Sequence, residues 1–286
     1  MPTPEAQSGD VWGRGAAYER YVGRWSRLVA HEFLAWLAAP PDSRWLDVGC
    51  GAGGLCQTIL AVAAPRRITG VDSAPGFIEY ARQQAQDPRV SFEVGDAQAL
   101  PVESDAFNIA VAGLVLNFVP DPARGVAEMT RSVRPGGRVA AYVWDYAGEM
   151  QFMRTFWNVA VALDPQAAAR SEGSRFALCQ PDPLMALFLA AGLHAVEVRA
   201  IDAPTVFRDF DDYWSPFLGG QGPAPTYVMS LDEERRAALR ECLRAALPIA
   251  EDGSIPLIAR AWAVRGVKDR PDGEPDTPDY TPFAPL

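Results

Sequence analysis

The 286-residue chain is poor in several residue types on which binding and catalysis commonly rest. Lys268 is its only lysine, and His31 and His194 are its only histidines. The other basic side chains are arginines, a bias that fits a GC-rich coding sequence better than a binding signature. Four cysteines, Cys50, Cys56, Cys179 and Cys242, are scattered and form no C-x-x-C pair. That argues against a disulfide frame or a zinc site, and for buried thiols in a reducing cytoplasm. Long apolar runs are missing too. The longest nearly apolar stretch, Ile109 to Val119, contains Asn117 and is too short to span a bilayer. The start, Met1-Pro2-Thr3-Pro4-Glu5, lacks the basic and apolar regions of a signal peptide. Positive charge is also short: 26 basic against 36 acidic side chains leave a net charge of −10. Nucleic acid and anionic membranes are therefore poor expected partners.

What is present is an ordinary globular composition, 49% apolar and 22% charged. An apolar stripe through Tyr18, Tyr21, Trp25, Leu28, Phe33, Trp36 and Leu37 predicts a helix with one buried face, stopped by Pro40-Pro41. Short apolar strands then alternate with helices. Strands are expected at 44–48, 67–71, 90–94, 108–112, 138–144, 195–201 and 255–267. Helices are expected at 55–63, after the strand-closing Asp72 to about Gln86, from the N-cap Asp121 with Pro122 behind it, and at 183–191. This alternation predicts an α/β, doubly wound sheet of about seven strands, the last antiparallel. A segment from 204 to 253 holds aromatic residues, a glycine cluster and a capping box, Ser230-x-x-Glu233, and reads as a helical insert or lid. The chain thus divides into an N-terminal helical segment (1–40), a main domain (41–268) carrying the insert, and an acidic, proline-rich flexible tail (269–286).

Gly49-x-Gly51-x-x-Gly54 follows the first strand, and Asp72 ends the second about twenty residues on. Glycines there let backbone approach a nucleotide-like ligand, and the acid accepts ribose hydroxyls. Asp47, inside the end of strand one, would oppose a pyrophosphate but welcome an ammonium. Asp96, in Gly95-Asp96-Ala97 after strand three, can accept from an adenine amine. S-adenosylmethionine offers an ammonium, a sulfonium, ribose hydroxyls and an adenine amine with no phosphate, so three carboxylates around it make chemical sense.

At these residues the sequence resembles the class I S-adenosylmethionine-dependent methyltransferases, particularly their ubiquinone/menaquinone-biosynthesis-like small-molecule group. The motifs are Trp45-Leu46-Asp47-Val48-Gly49-Cys50-Gly51-Ala52-Gly53, Gly70-Val71-Asp72-Ser73, Gly95-Asp96-Ala97, Leu100-Pro101 to Phe107, and Val133-Arg134-Pro135-Gly136-Gly137. They cover roughly residues 18–145, with Asn108 standing where the group usually has Asp. The resemblance implies a Rossmann-like fold, S-adenosylmethionine as cofactor with S-adenosylhomocysteine as product, and a small-molecule substrate. It implies that Gly49, Gly51 and Gly53 line the methionine and ribose parts, and that Asp47 lies beside the ammonium. Asp72, supported by Ser73, takes the ribose hydroxyls, while Asp96 and Ala97 hold the adenine. Leu114 passes near the methyl, and Tyr18 or Arg24 reaches the cofactor carboxylate.

A general base is harder to name. Asp145 and Tyr146 end strand five at the ligand edge, Tyr213 lies in the insert, and His31 lies on the first helix. Each has a plain alternative as a capping, core or surface residue. Strand four ends in Ala112-Gly113 without an acid, so no metal is expected. Two other readings stay open: an NAD(P)-dependent reductase, carried by the glycine pattern, and a noncatalytic S-adenosylmethionine-binding module. A nucleic-acid methyltransferase is a third. The acceptor atom and the oligomeric state are not legible.

Overall fold

The computed structural model describes residues 24–219 and 222–270. Tyr18 and Tyr21, and the tail beyond Arg270, lie outside the described residues. Helix α1 (Arg24–Leu37) buries Trp25, Val29, Ala30, Phe33, Leu34 and Leu37. Leu28, expected on that stripe, is exposed. The buried face runs through the fourth and fifth residues after Trp25, and the third turns away from it. Arg138 donates to the carbonyls of Leu37 (2.6 Å) and Ala38 (2.9 Å), and Arg265 donates to that of Trp36 (2.6 Å). Two cations thus close the carbonyl end of the helix, where its dipole favours them.

The alternation that follows is β1 (Arg44–Val48), α2 (Gly54–Val62), β2 (Arg67–Asp72), α3 (Pro75–Gln84), β3 (Val90–Val94), β4 (Phe107–Gly113), α4 (Pro122–Ser132) and β5 (Val133–Trp144). As expected, Asp121 caps α4 by accepting from the Arg124 N–H. Pro135-Gly136-Gly137 lies inside β5, since α4 already ends at Ser132. Next come α5 (Gln151–Leu163), α6 (Glu172–Arg175), α7 (Pro181–Ala190) and β6 (Leu193–Phe207). The chain closes with α8 (Phe210–Trp214), α9 (Pro223–Ser230), α10 (Glu233–Ala246) and β7 (Ile255–Lys268).

One seven-stranded sheet results, in the order β3-β2-β1-β4-β5-β7-β6. The last strand, β7, is antiparallel to both its neighbours, and the others run parallel. The order reverses between β1 and β4, which opens a crevice beyond their carboxyl ends. β1, β4 and β5 are buried on both faces, as their continuous apolar runs require. β6 alternates buried and exposed residues, as an edge strand with one open face does.

β6 runs six residues past the expected end at Ile201, so Pro204–Phe207 is strand and the connection begins after it. β5 pairs with β7 only as far as Trp144↔Ala261. Beyond that point β6 and β7 continue together, from Asp202↔Arg260 to Phe207↔Ile255, as a two-stranded arm. The arm carries a cap, and α5, which the sequence pattern did not announce, is part of it. The Gln151 side chain accepts from the Ile258 N–H at 2.8 Å and ties α5 to the arm. In the cap core Phe156 stacks on Phe217 at 4.4 Å, Phe152 lies 4.8 Å from Phe217, and Tyr213 lies 5.3 Å from Phe207. The expected Ser230 capping box does not form. Asp232 caps α10 by accepting from the Arg235 N–H, and Ser230 donates to the Tyr227 carbonyl at 2.7 Å. Two residues more put a carboxylate at the helix's own first turn, where a serine back-bonded into α9 cannot reach.

Candidate active site

The floor of the crevice is made by backbone. After β1 the chain turns at Gly49 (φ +72°), whose N–H donates to the Val71 carbonyl at 2.7 Å. A Cβ on Gly49 would collide with the Val115 side chain, so the turn has no room for one. The Cys50 N–H also reaches Val71 O, at 3.1 Å, and the Gly51 N–H donates to Asp72 Oδ2 at 2.9 Å. Asp72 Oδ1 accepts from the Ala74 N–H, also at 2.9 Å. The end of β2 thus fixes the glycine loop, and Asp72 keeps its remaining lone pairs for a ligand. Gly53, at φ +85°, is the N-cap of α2.

Asp47 is buried beneath this loop. Its Oδ2 accepts from the Cys56 thiol at 3.1 Å, and its Oδ1 has no hydrogen-bond partner among the described residues. Burial pushes Asp47 up to about 7, the Asp72 charge pushes the same way, and the Cys56 hydrogen bond pulls against them. Burial likewise holds the Cys50 and Cys56 thiols well above their ordinary range, so both stay protonated.

A cavity of about 250 Å³ opens above the loop. Asp47, Gly49, Gly51, Asp72 and Leu114 line its floor, and Ser26 and Arg27 of α1 line one side. Leu114 turns there at φ +61°, held by its N–H on the Tyr142 carbonyl at 2.8 Å. The roof comes from Phe118, Trp144, Tyr146, Met153, Glu172 and Pro223.

Of the expected cofactor residues, Asp47, Gly49, Gly51, Asp72 and Leu114 meet on one wall. Gly53 stands behind it, with the Phe92 ring 3.0 Å from where a Cβ would be. Ser73 and Asp96 are exposed, and neither they nor Ala97 line the cavity. The Asp96 carboxylate accepts from the Gln98 N–H (2.8 Å) and from Gln98 Nε2 (3.1 Å). The backbone of Arg24 opens α1, and Tyr18 is outside the described residues.

Among the candidate bases, only Tyr146 reaches the cavity. Asp145 is buried but spends both oxygens on the Gly148 N–H (3.0 Å) and the Glu149 N–H (2.9 Å), where it builds the turn after β5. Tyr213 is sealed in the cap core, its hydroxyl donated to the Phe152 carbonyl at 3.0 Å, and burial pushes its phenol far up. His31 is exposed on the outer face of α1. Glu172 is a functional candidate that sequence reasoning does not find: it is 2% exposed and accepts from the Trp157 indole N–H. Nothing in the polar stretch around it marks it, because its burial depends on α5 folding over it. Arg27 carries a usable signal, lying about one turn from Arg24 on the same helix. Among the described residues no group of three His, Cys, Asp or Glu side chains gathers as a metal site, and no helix is long and apolar enough to cross a membrane.

The floor fits S-adenosylmethionine. It offers a glycine turn for close approach, an acid at the end of β2, and an unpartnered buried oxygen on Asp47 for an ammonium. Residues 46–141 match the sequence pattern of the family described as "Methyltransferase domain". The chain is 30% identical over 190 residues to an arsenite methyltransferase of Halobacterium salinarum, covering 63% of this chain and 46% of that protein. It is 30% identical over 182 residues to a 2-phytyl-1,4-naphtoquinone methyltransferase of Synechococcus elongatus, covering 59% of this chain and 76% of that one. The YcgJ protein of Bacillus subtilis shares the fold, with a TM-score of 0.57 at 20% identity over 85% of this chain and 99% of that one. This chain therefore spans less than half the length of the arsenite enzyme and most of the naphtoquinone enzyme.

Proposed function

The chain belongs to the class I S-adenosylmethionine-dependent methyltransferases, and from that premise we propose that it transfers a methyl group from S-adenosylmethionine to a small-molecule acceptor. The observation that carries this reading is Asp47. A buried carboxylate with one oxygen unpartnered under a glycine loop suits a ligand ammonium and opposes a pyrophosphate. The same feature weighs against a nicotinamide-dependent reductase, which the glycine pattern alone would admit.

When bound, S-adenosylmethionine supplies an electrophilic methyl on a sulfonium. The residues of the chain bind and orient. Asp47 pairs with the ammonium, and the backbone of Gly49 and Gly51 follows the methionine and ribose. Gly53 starts α2 behind them. Asp72 accepts the ribose hydroxyls, with Ser73 supporting the turn. Asp96 and Ala97 hold the adenine, Asp96 through acceptor capacity beyond its bonds from Gln98. Leu114 borders the methyl, and Arg24 or Tyr18 reaches the carboxylate. The roof walls off water and holds the acceptor in line with the methyl, and such positioning can supply roughly 7–11 kcal/mol of a barrier. The four cysteines, all unpaired, fit a reducing, cytoplasmic setting.

Thermal unfolding with S-adenosylhomocysteine and with NADPH tests the reading. A ligand at about a hundredfold excess over its Kd raises Tm by roughly 5–10 °C in a protein of this size. The expected result is that rise with S-adenosylhomocysteine and none with NADPH. The reverse pattern ends the methyltransferase reading.

A further inference from the structure

Trp144 is the last residue of β5, and its side chain lines the cavity on the roof side. β7 holds it in place: Trp144 pairs with Ala261, and the next N–H, of Asp145, donates to the Arg260 carbonyl at 2.9 Å. Tyr142, two residues earlier on the same face of β5, also lines the cavity, and its carbonyl accepts from the Leu114 N–H. Trp144 thus stands one side-chain step along β5 from the Leu114 turn, between the methyl end and the roof. The side chain is 2% exposed, yet its indole N–H makes no hydrogen bond among the described residues. Unlike the Trp45 indole N–H, an orphan sealed in the core, it is not closed off, and the surface it keeps faces the cavity. An indole N–H donates and cannot accept, so the group that completes it carries a lone pair. An ammonium carries none and is excluded from that contact. Around Trp144, Leu114, Phe118, Tyr146, Met153 and Pro223 present apolar and aromatic surface, and Phe118 and Tyr146 both pack on Phe176, at 5.1 Å and 5.8 Å. Such walls take a flat apolar body.

We propose that Trp144 selects the acceptor molecule by donating its indole N–H to an uncharged oxygen, carbonyl or hydroxyl, on a flat apolar substrate. This rests on the methyltransferase reading above and names the substrate class of the same site. The contact binds and orients: no proton moves, and the indole stays neutral. Strand pairing sets the indole, so the donor is in place before the substrate arrives. An oxygen that leaves water for this site recovers the bond it gives up, whereas a hydrocarbon of the same shape leaves the N–H unsatisfied. A site built around a donor in this way rejects a ligand that lacks the partner more strongly than one that differs by a methylene.

The test uses the full chain saturated with S-adenosylhomocysteine and three matched probes, 1-indanone, indane and 1-aminoindane, followed by titration calorimetry. Water solvates the ketone better than the hydrocarbon, so without a donor in the cavity indane would bind the more tightly. Wild type is expected to bind 1-indanone about tenfold more tightly than indane, and 1-aminoindane more weakly than 1-indanone. Trp144→Phe keeps an aromatic ring and removes the N–H. It is expected to weaken 1-indanone by about tenfold and to leave indane within about twofold and S-adenosylhomocysteine unchanged. Indole 15N–1H spectra of the loaded wild type give a second readout that holds if the variant folds poorly. One indole proton is expected to move downfield with 1-indanone and to stay put with indane. Indane or 1-aminoindane binding as tightly as 1-indanone, a 1-indanone affinity untouched by Trp144→Phe, or no indole proton moving overturns the proposal. Failure of S-adenosylhomocysteine to bind wild type strikes the methyltransferase reading itself, and the two failures are told apart in one titration series.

Discussion

On the floor of the cavity the contacts are made by backbone and by carboxylates set at strand ends. Gly49, Gly51 and Asp72 lock to one another and to Val71 within a short stretch of sheet. The roof is made instead by side chains: Phe118, Trp144 and Tyr146 from at or beyond the ends of β4 and β5, and Met153, Glu172 and Pro223 from α5, α6 and α9 beside the arm that β6 and β7 extend past β5. The floor therefore tolerates change poorly at single glycines, while the roof depends on summed aromatic packing among Phe152, Phe156, Phe207, Tyr213 and Phe217. One surface suits a ligand that every member of a family shares. The other suits a ligand that each member chooses for itself.

The largest expected effect separates the two regions. Phe156 is fully buried and stacked on Phe217, so Phe156→Ala should destabilise the fold by about 3–5 kcal/mol in urea titration. S-adenosylhomocysteine affinity of the folded protein should stay near wild type. A parallel loss of affinity would mean that roof and floor act as one unit.

The next effect belongs to the floor. Asp47 is raised from 3.8 to about 7 by burial, so it stabilises the ligand-free fold at acid pH. That contribution is lost as pH rises from the ordinary carboxylate range through about 7. The swing is at most about 4 kcal/mol, because each tenfold change in proton affinity is worth about 1.4 kcal/mol. Cofactor affinity should move the other way, rising over the same range, because the ammonium pairs with the ionised form. Urea midpoints of the ligand-free protein between about pH 5 and about pH 8 should show the fall in wild type and a flatter curve in Asp47→Asn. Identical curves would detach Asp47 from both effects.

Asp72→Ala should weaken S-adenosylhomocysteine binding by roughly 1.5–3 kcal/mol, the range for a lost charged acceptor. Calorimetry on a variant with unchanged Tm reads it. An unaltered Kd would reduce Asp72 to a brace for the glycine loop and erase its share in the ligand contrast.

The two regions also differ in how far sequence reveals them. The floor is local: glycines after one strand and an acid at the end of the next meet because parallel neighbours bring their ends together. Hence Asp47, Gly49, Gly51 and Asp72 could be named from spacing alone. Spacing could not say that Gly53 stands behind the wall, or that Gln98 occupies Asp96. The roof is non-local. Phe156 and Phe217 become neighbours only because the arm folds α5 against the later segment, and Glu172 is buried only once Trp157 lies over it. No periodicity in the chain encodes such meetings. Asp145 and Tyr213 show the same limit from the other side, since both look reactive by position and both are consumed by structure.

The smallest expected effect tests a short-range rule inside the roof. Ser230-x-x-Glu233 has the form of a capping box, yet Asp232 is the residue that accepts from the Arg235 N–H, at 2.8 Å. Ser230 bonds backward to Tyr227 O and receives a longer bond from Arg170, at 3.4 Å. Removing the true cap leaves a first-turn N–H of α10 without its carboxylate and takes a negative charge from the positive end of the dipole. Asp232→Ala should therefore cost about 1 kcal/mol, and Tm should fall by roughly 2–4 °C. Ser230→Ala, which frees no helix N–H, should stay within about 0.5 kcal/mol of wild type. The reverse ranking in paired thermal scans would restore the box to α10 and show that the roof's helices obey the local signal after all.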